Sequence, residues 1–241
     1  MGNGLDGGHG GGDRGASPGP SGKAALRRSI LSSRAASDPA ARASDDARLA
    51  ARVVGWIASQ VAAGPATTIT IAAHVPVDVE PGATSLTPDQ LLSDLAAAAE
   101  AEGMPPVRLL LPVCPPGPPA ALQWAEYRGA RENSGGVDFG GVQSGGLAPG
   151  KYGLPEPVGP RLEPDALAQA EIIIVPGVAA DRSGMRMGRG AGYYDRSLAH
   201  ATGRVAAILH PGEVVDAVPH DAHDVPVDAV ITADELIIPG S

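Results

Sequence analysis

The segment GMRMGRGAGYYDRSL, residues 184–198, combines residues whose types and spacing could bind a phosphorylated ligand. Between positions 182 and 196 the chain has four glycines and four arginines: Gly184, Gly188, Gly190, Gly192, Arg182, Arg186, Arg189 and Arg196. Glycines let backbone N–H groups approach phosphate oxygens closely, and the guanidinium group of arginine matches the geometry of phosphate. The segment therefore predicts a phosphate-binding loop, which we call the glycine–arginine loop (residues 182–196).

Asp195 ends this loop with a carboxylate, which would repel a phosphate unless a cation lies between them. Mg²⁺ is the usual cation, because it binds to one or two carboxylates together with substrate phosphates. The alternative is a surface loop in which Asp195 pairs with Arg189 or Arg196. No G-K-[ST] motif occurs, and the third glycine of G-R-G-A-G comes one position too early for a dinucleotide fingerprint. Residue chemistry favours phosphate binding but leaves both interpretations open.

The composition of the chain limits the classes of function. It has 241 residues, of which 43% are hydrophobic and 19% charged, and its formal net charge is −9. This acidity argues against general nucleic-acid binding, and no apolar stretch approaches the roughly 20 residues that cross a bilayer. The single cysteine, Cys114, excludes an internal disulfide and is typical of a reducing cytoplasm. Cys114 could be a nucleophile, but its apolar context favours a buried small side chain.

The elements that must position the loop follow from the apolar pattern. Apolar runs predict strands at 67–75, 107–113, 171–178, 205–210 and 229–233, and helical patterns cover 21–36, 44–62, 88–102 and about 192–202. A short helix is also expected around Trp124 and Tyr127. Continuous apolar strands that alternate with helices indicate a mostly parallel sheet covered on both faces. We therefore expect one three-layer, Rossmann-like α/β domain over 21–241, with a disordered glycine-rich tail at 1–20 and a flexible insertion at 133–150.

In such a sheet, ligands bind outside the carboxyl ends of the strands. The glycine–arginine segment directly follows a predicted strand at that edge. On the first helix, Lys23, Arg27 and Arg34 cluster beside an apolar stripe formed by Leu26 and Ile30. From the helix alone, a solvated basic face is the favoured interpretation.

Several motifs resemble the 5-formyltetrahydrofolate cyclo-ligase family, also called 5,10-methenyltetrahydrofolate synthetase. Its hallmark is a strand ending in V-P-G, followed by F-D-R-x-G-x-R-L-G-x-G-x-G-Y-Y-D-R, which here reads IIIVPGVAADRSGMRMGRGAGYYDRSLA. The other motifs occur in the family's order, across 21–235: a K-x-x-L-R helix from Lys23 to Arg27, EPGAT with Glu80 and Thr84, YGLPEP at 152–157 and VPHDAHDVPVD at 218–228. The chain departs from the family at Ala180, Met187 and Tyr152, where the pattern has Phe, Leu and Phe.

The resemblance implies an ATP- and Mg²⁺-dependent reaction. ATP phosphorylates the formyl oxygen of 5-formyltetrahydrofolate, N10 attacks, and phosphate leaves to give 5,10-methenyltetrahydrofolate. Lys23 and Arg27 would then reach the ATP phosphates, which replaces the solvated-face interpretation of their helix. The residues implied to bind ATP are Lys23, Arg27, Arg186, Gly188, Arg189, Gly190, Gly192, Tyr193, Tyr194 and Asp195. Of these, the implied catalytic residues are Lys23, Arg27, Arg189 and Tyr194.

The same resemblance implies the remaining ligands. Asp195 and Asp228 would hold magnesium, and Glu80 would contact the pterin. Trp124, Tyr127 and Tyr152 could stack on the pterin, and Tyr152 and Trp124 are taken as substrate-binding residues; with so few aromatic residues, the alternative is that they simply form core.

Two other functions are open alternatives. One is a non-catalytic nucleotide- or folate-binding protein of the same fold, and the other is a sugar-phosphate isomerase-type enzyme that needs no ATP. The presence of Lys23, Arg27, Asp195 and Asp228 favours the cyclo-ligase. We expect it to act as a cytoplasmic monomer with no nucleic-acid or membrane partner.

Overall fold

The structure is a computed structural model, and it describes residues 20–61, 68–129, 137–139, 142–144, 146–221 and 224–240. Its α-helices are α1 Pro20–Ala36, α2 Pro39–Gln60, α3 Pro88–Glu102 and α4 Tyr193–Ser197. Short 3₁₀ helices lie at Lys151–Gly153, Pro164–Gln169 and Leu198–His200. The strands are β1 Ile69–Ala73, β2 Val107–Val113, β3 Gln123–Tyr127, β4 Val137–Phe139, β5 Val142–Ser144, β6 Leu147–Pro149, β7 Pro155–Pro157, β8 Ile172–Pro176, β9 Ala179–Asp181, β10 Arg186–Met187, β11 Arg204–Ile208, β12 Val214–Val215, β13 Ala229–Ile231 and β14 Leu236–Ile237.

Seven strands form the main sheet, in the order β14-β13-β11-β8-β1-β2-β3. The five inner strands pair in parallel, and an antiparallel strand closes each edge. The predicted α/β fold with a mostly parallel sheet is confirmed. So are the five predicted strands and the helix at 88–102, whose bounds the structure reproduces to within a few residues.

Local chemistry explains where the longer helices begin and end. Asp38 before α2 and Thr87 before α3 each accept a hydrogen bond from a backbone N–H of the first turn. Pro39 and Pro88 follow them at the first helical position, where the missing N–H of proline costs no hydrogen bond. Gly103 ends α3 in the left-handed conformation, with φ of 72°.

Both faces of the sheet are covered by apolar residues. Alternate residues of β1 point to opposite faces, so Ile71 belongs to one core cluster and Ala72 to the other. The first cluster packs the sheet against α2 and α3, through Leu49, Val53, Trp56, Ile57, Leu91 and Leu95. The second packs it against the 3₁₀ segment around Leu167 and against Tyr193, Tyr194 and Leu198. The described elements therefore form three layers.

The short helix expected around Trp124 and Tyr127 is wrong, because these residues lie on β3. This strand pairs antiparallel with β2, with Tyr127 opposite Leu109. Both aromatic side chains are buried against the sheet. Pairing with the apolar edge of β2 decides the conformation, as tertiary context often does for short segments.

Two other expectations concern chain between the regular elements. The described parts of 133–150 form three short strands, β4, β5 and β6, rather than an open loop. β6 pairs with β7, which carries part of the YGLPEP motif. The expected tail lies outside the described residues except for Pro20, where α1 begins. None of the helices in the described ranges combines the length and the apolarity that a membrane span requires.

Candidate active site

Helix α1 is attached to the carboxyl edge of the sheet by a buried ion pair. Arg34 Nε lies 2.6 Å from Glu213 Oε1, and Arg34 Nη2 donates to the Gly177 carbonyl at 2.7 Å, just after β8. Glu213 also accepts a hydrogen bond from the backbone N–H of His210. Because both charges are buried and hydrogen-bonded, the pair determines where α1 crosses the edge of the sheet.

The helix thereby carries Arg27 to the glycine–arginine loop. Arg27 lies two turns before Arg34 on the same face of α1, and its Nε donates to the Gly188 carbonyl at 2.9 Å. One turn earlier, Lys23 Nζ lies 3.2 Å from Asp221 and 3.5 Å from Asp224. Lys23 and Arg27 thus lie on one side of α1, and Arg27 directly contacts the loop.

The glycine–arginine loop leaves β8 through the β9–β10 hairpin. Asp181, at the end of β9, accepts hydrogen bonds from the backbone N–H groups of Ser183, Met185 and Val218. Asp181 therefore holds the entry to the loop by backbone contacts. Further on, Gly190 has φ of 103°, a conformation that other residues rarely adopt. A Cβ atom there would lie 3.2 Å from the Arg27 guanidinium carbon, so glycine is what lets Arg27 approach the loop.

Asp195 pairs with an arginine, but not with either arginine considered from the sequence. Its Oδ1 accepts a short hydrogen bond from Arg186 Nη2, while Arg186 Nη1 donates to the Pro176 carbonyl at 3.1 Å. The Asp195 side chain is 58% exposed, so pairing leaves it accessible. Arg196 instead donates to the carbonyls of Ala191 and Gly192.

Glu80 connects the loop to the opposite side of the site. Its Oε1 lies 2.8 Å from Arg189 Nη2, and its Oε2 accepts from the Val77 N–H at 3.1 Å. The turn after Glu80 is held by Asp46 of α2, whose carboxylate accepts hydrogen bonds from the Gly82 and Thr84 N–H groups. Asp46 was not identified from the sequence, because its role depends on a contact between distant segments.

These groups line a cavity of about 470 Å³ at the carboxyl edge of the sheet. One wall is the glycine–arginine loop, from Arg186 to Asp195. The other wall comes from the chain after β1 and β2, including His74, Glu80 and Cys114, and from the segment around Tyr152. The structure therefore joins the loop to the EPGAT and YGLPEP motifs around one space.

Most of the residues expected at the site line this cavity. They are Glu80, Tyr152, Arg186, Gly188, Arg189, Gly190, Gly192, Tyr193, Tyr194 and Asp195. Trp124 does not, because its side chain is 1% exposed and packs in the second core cluster. The expectation that Trp124 stacks on a ligand is therefore wrong for this structure.

Asp228 lies at the other end of the sheet. Its Oδ1 accepts from Arg204 Nη1 and its Oδ2 from the Val205 N–H, each at 2.8 Å, at the amino end of β11. Val205 is paired with Ile173, three residues before Pro176 at the carboxyl end of β8, and three residues of strand span about 10 Å. Asp195 is anchored beyond that far end, so a metal site shared by Asp195 and Asp228 does not agree with the structure.

Lys151 connects the segment around its neighbour Tyr152 to two other parts of the chain. Tyr152 has φ of 61° and is 69% exposed. Lys151 Nζ donates to the carbonyls of Pro115 and Gly117, at 3.0 and 2.6 Å, and to the Tyr193 hydroxyl at 3.1 Å. Lys151, missed in the sequence, thus links the proline-rich turn after β2 to the start of α4.

Two titratable groups in the cavity stay neutral. Burial raises the pKa of the Tyr194 phenol well above its usual range, and the Glu80 carboxylate adds to the shift. Burial also raises the pKa of the half-buried Cys114 thiol, with Glu156 contributing. A thiol with a raised pKa is a poor nucleophile at neutral pH, so Cys114 acts as part of the wall.

The Asp195 carboxylate suits a metal ion whose other ligands are phosphate oxygens. Among the described residues, no group of three or more His, Cys, Asp and Glu side chains is arranged to hold a metal ion by itself. Asp195 nevertheless offers an accessible carboxylate beside the glycine–arginine loop. One carboxylate together with phosphate oxygens is a usual set of ligands for Mg²⁺.

Comparison with known proteins identifies the family of the chain. The model of the 5-formyltetrahydrofolate cyclo-ligase family matches residues 20–233. A 5-formyltetrahydrofolate cyclo-ligase from Mycolicibacterium smegmatis is 35% identical over 224 residues, which cover 91% of this chain and 97% of that protein. The NMR structure of Aquifex aeolicus 5,10-methenyltetrahydrofolate synthetase superposes with a TM-score of 0.59 at 25% identity, covering 91% of this chain and 93% of the other. A 5,10-methenyltetrahydrofolate synthetase from Mycoplasma pneumoniae, 20% identical, shares the fold with a TM-score of 0.59 over 88% of this chain and 98% of its own. From its sequence and its fold, the chain belongs to the 5-formyltetrahydrofolate cyclo-ligase family.

Proposed function

We propose that this protein converts 5-formyltetrahydrofolate to 5,10-methenyltetrahydrofolate in an ATP- and Mg²⁺-dependent reaction. The observation that carries the proposal is a single cavity with two chemically different walls. One wall is a cationic, glycine-rich loop suited to a triphosphate, and the other contains apolar groups, a buried carboxylate and an exposed aromatic ring. Membership of the family supplies the reaction.

The glycine–arginine loop provides the groups that a triphosphate needs. Arg186 and Arg189 both line the cavity, and Arg27 lies against the loop at Gly188 and Gly190. Guanidinium groups bind phosphate oxygens in a fork geometry, and a glycine-rich backbone allows close approach. ATP therefore binds along this wall, with its terminal phosphate directed toward the folate.

Lys23 reaches the phosphates by leaving its acidic partners. Asp221 is 68% exposed, and Lys23 and Asp224 are 29% and 30% exposed, so solvent reaches both ion pairs; exposed pairs contribute about 0–1 kcal/mol. A triphosphate carries more negative charge than these two carboxylates together, so it can replace them as the partner of Lys23. Lys23 then adds a positive charge at the outer end of the loop.

The opposite wall suits the folate. Glu80 is buried, and its carboxylate accepts hydrogen bonds, as the N–H groups of a pterin require. Tyr152 presents an exposed ring at the entrance, where it can stack on the aromatic part of the substrate. Both residues belong to segments of the chain outside the glycine–arginine loop.

The chemistry requires positioning and charge neutralisation rather than a protein nucleophile. The formyl oxygen attacks the γ-phosphorus and ADP leaves; N10 then attacks the activated carbon, loses its proton, and inorganic phosphate departs. Arg189 stabilises the charge that develops on the transferred group, and the neutral phenol of Tyr194 can act only as a hydrogen-bond donor or acceptor. Mg²⁺, which Asp195 would hold against the phosphates, neutralises part of that charge when bound.

Absorbance of the methenyl product tests the proposal directly. We expect product from 5-formyltetrahydrofolate only when ATP and Mg²⁺ are both present. Turnover of a sugar phosphate without ATP would instead indicate the isomerase alternative. Binding of both ligands without product would indicate the non-catalytic alternative.

A matched pair of arginine variants connects the activity to this site. Arg189→Ala removes a guanidinium that lines the cavity, and turnover should fall at least tenfold. Arg182→Ala removes one that is 68% exposed and paired with Glu235 outside the cavity, so turnover should stay within twofold of wild type. Equal effects of the two changes would contradict the assignment of Arg189 to the phosphate wall.

We further propose that the protein acts as a cytoplasmic monomer. The segments that follow β1, β2 and β8 together provide both walls of the cavity, so one copy of the chain contributes groups for both proposed ligands. Light scattering during size-exclusion chromatography should give a mass near the 24.1 kDa of the chain.

A further inference from the structure

His74 is a buried polar residue that the proposed reaction does not yet use. It follows β1 directly, and its backbone N–H donates to the Ile174 carbonyl of β8. The side chain is 7% exposed and lines the cavity. Within the described part of the chain, neither ring nitrogen makes a hydrogen bond of acceptable geometry. The Ile174 carbonyl, which accepts from the His74 backbone N–H, lies near enough to the ring to affect its pKa but not in a position to pair with it. Most buried polar groups are paired in native structures, so two unpaired ring nitrogens on a residue that lines a cavity indicate a ligand.

The surroundings of His74 keep its imidazole neutral. Burial lowers the pKa of His74; the Glu80 carboxylate and the Ile174 carbonyl oppose this shift, and the charges of Arg34 and Arg189 reinforce it. A neutral imidazole presents one N–H donor and one bare nitrogen acceptor. It is therefore unsuited to hold a phosphate, for which the glycine–arginine loop already provides permanent cations.

The position of His74 selects one part of the proposed substrate. Glu80 is its carboxylate neighbour on the folate wall. A carboxylate accepts hydrogen bonds only, whereas the imidazole both donates and accepts. Together they match a flat heterocycle that carries ring N–H groups, bare ring nitrogens and a carbonyl on its edges, which describes a reduced pterin.

We propose that His74 binds the pterin ring of 5-formyltetrahydrofolate by hydrogen bonds of its imidazole nitrogens, beside Glu80, and so determines how the substrate is oriented in the cavity. This proposal rests on the proposed function, because it takes the folate as the ligand. It adds a substrate-binding residue to the site.

Calorimetric titration of 5-formyltetrahydrofolate into the full chain, without ATP, tests this role. His74→Phe keeps a flat ring and removes both hydrogen-bonding nitrogens, so the Kd should rise about tenfold, as expected for the loss of roughly one hydrogen bond. His74→Gln and His74→Asn place an amide near Nε2 and Nδ1, respectively. One of these should recover most of the affinity, and it identifies the nitrogen that binds.

Control measurements separate hydrogen bonding from packing. Thr70→Val changes a buried polar residue within β1 that is not part of the cavity lining, and it should leave the folate Kd unchanged. The Kd for ATP should be the same in all variants, and thermal unfolding should show that each is folded. An unchanged folate Kd in His74→Phe, or an equal loss in the Phe, Gln and Asn variants, would overturn the proposal. Absence of folate binding by the wild type would overturn the proposed function itself, and this inference with it.

Discussion

At the scale of residues, the arginines of the loop have separate roles that their spacing does not reveal. Arg186 is buried and fixed by Asp195 and the Pro176 carbonyl, whereas Arg189 spans the cavity to Glu80. Arg196 binds carbonyls of its own loop. Arg186 therefore positions Asp195 while it lines the cavity, Arg189 reaches across the cavity, and Arg196 stabilises the turn into α4.

Asp195→Asn should lower turnover by about 10²-fold, because it removes the anionic charge proposed to hold Mg²⁺ at the phosphates. Asparagine still accepts a hydrogen bond from Arg186, so the melting temperature should change little. Additional Mg²⁺ should restore part of the activity, since a weakened site is refilled by mass action. Steady-state kinetics over a range of Mg²⁺ concentrations measure both effects.

Asp94→Asn, on α3 and hydrogen-bonded by Gln90, is a suitable control and should behave as wild type. If a folded Asp195→Asn protein kept normal kinetics and Mg²⁺ dependence, Asp195 would serve only to pair with Arg186.

At the scale of elements, the site is a contact between α1 and the glycine–arginine loop. The buried Arg34–Glu213 pair fixes the helix, and the open backbone at Gly190 admits Arg27. Both features act on the position of the Arg27 guanidinium. A change in either should therefore weaken the binding of ATP more than the binding of the folate.

Gly190→Ala should raise the KM for ATP several-fold. Its Cβ would lie 3.2 Å from the Arg27 guanidinium carbon, and φ of 103° is strained for any residue except glycine. Gly103→Ala, at the end of α3, adds a similar strain at φ of 72° with no atom within 4 Å. Kinetics of both variants should show a higher KM for ATP only in Gly190→Ala, and equal KM values would contradict the contact.

Glu213→Ala should destabilise the protein by about 3–5 kcal/mol, because it leaves the buried Arg34 charge without its partner. Replacing both residues by methionine should recover part of that loss, since no charge then stays buried. Urea unfolding monitored by circular dichroism measures the free energies. A loss below 1 kcal/mol in the single variant would show that solvent reaches Arg34 and that the pair does not anchor α1.

At the scale of the whole molecule, the order of strands assembles the site. β1 and β8 are about a hundred residues apart in the chain, yet they pair side by side, so His74 and the glycine–arginine loop meet at one edge. The parallel arrangement brings the carboxyl ends of both strands to the same edge, where such sheets bind ligands.

Stability should depend on pH through His74, whose pKa is lowered in the folded protein mainly by burial. The unfolded chain then binds the proton more readily, so stability is retained above the ordinary pKa of 6.5 and lost as pH falls below it. The charges of Glu80, Arg34 and Arg189 surround the ring and act on the same equilibrium. Melting temperatures at pH 7.5 and 5.5 should differ less in His74→Gln than in the wild type, and identical differences would contradict the shift.

Local patterns in the sequence were sufficient for the framework of the fold. The apolar strands and the helix at 88–102 were predicted because burial on both faces and helix caps leave a signature in neighbouring residues. The glycine–arginine loop was predicted to bind phosphate from the types of its residues; the structure places it in the cavity lining, and phosphate binding stays a prediction. The family was identified from five ordered motifs and confirmed by comparison.

The tertiary structure decided everything that depends on which distant segments meet. It placed Trp124 on a buried edge strand because β2 offered an apolar partner. It places Asp228 at the amino end of the sheet, where Arg204 and the Val205 N–H donate hydrogen bonds to it. It also pairs Asp195 with Arg186. It also places His74, which in the sequence simply follows an apolar run, in the lining of the cavity. Strand order and packing decide whether a side chain is buried, at which end of the sheet it lies and with which group it pairs. No local pattern of residue types encodes these three properties.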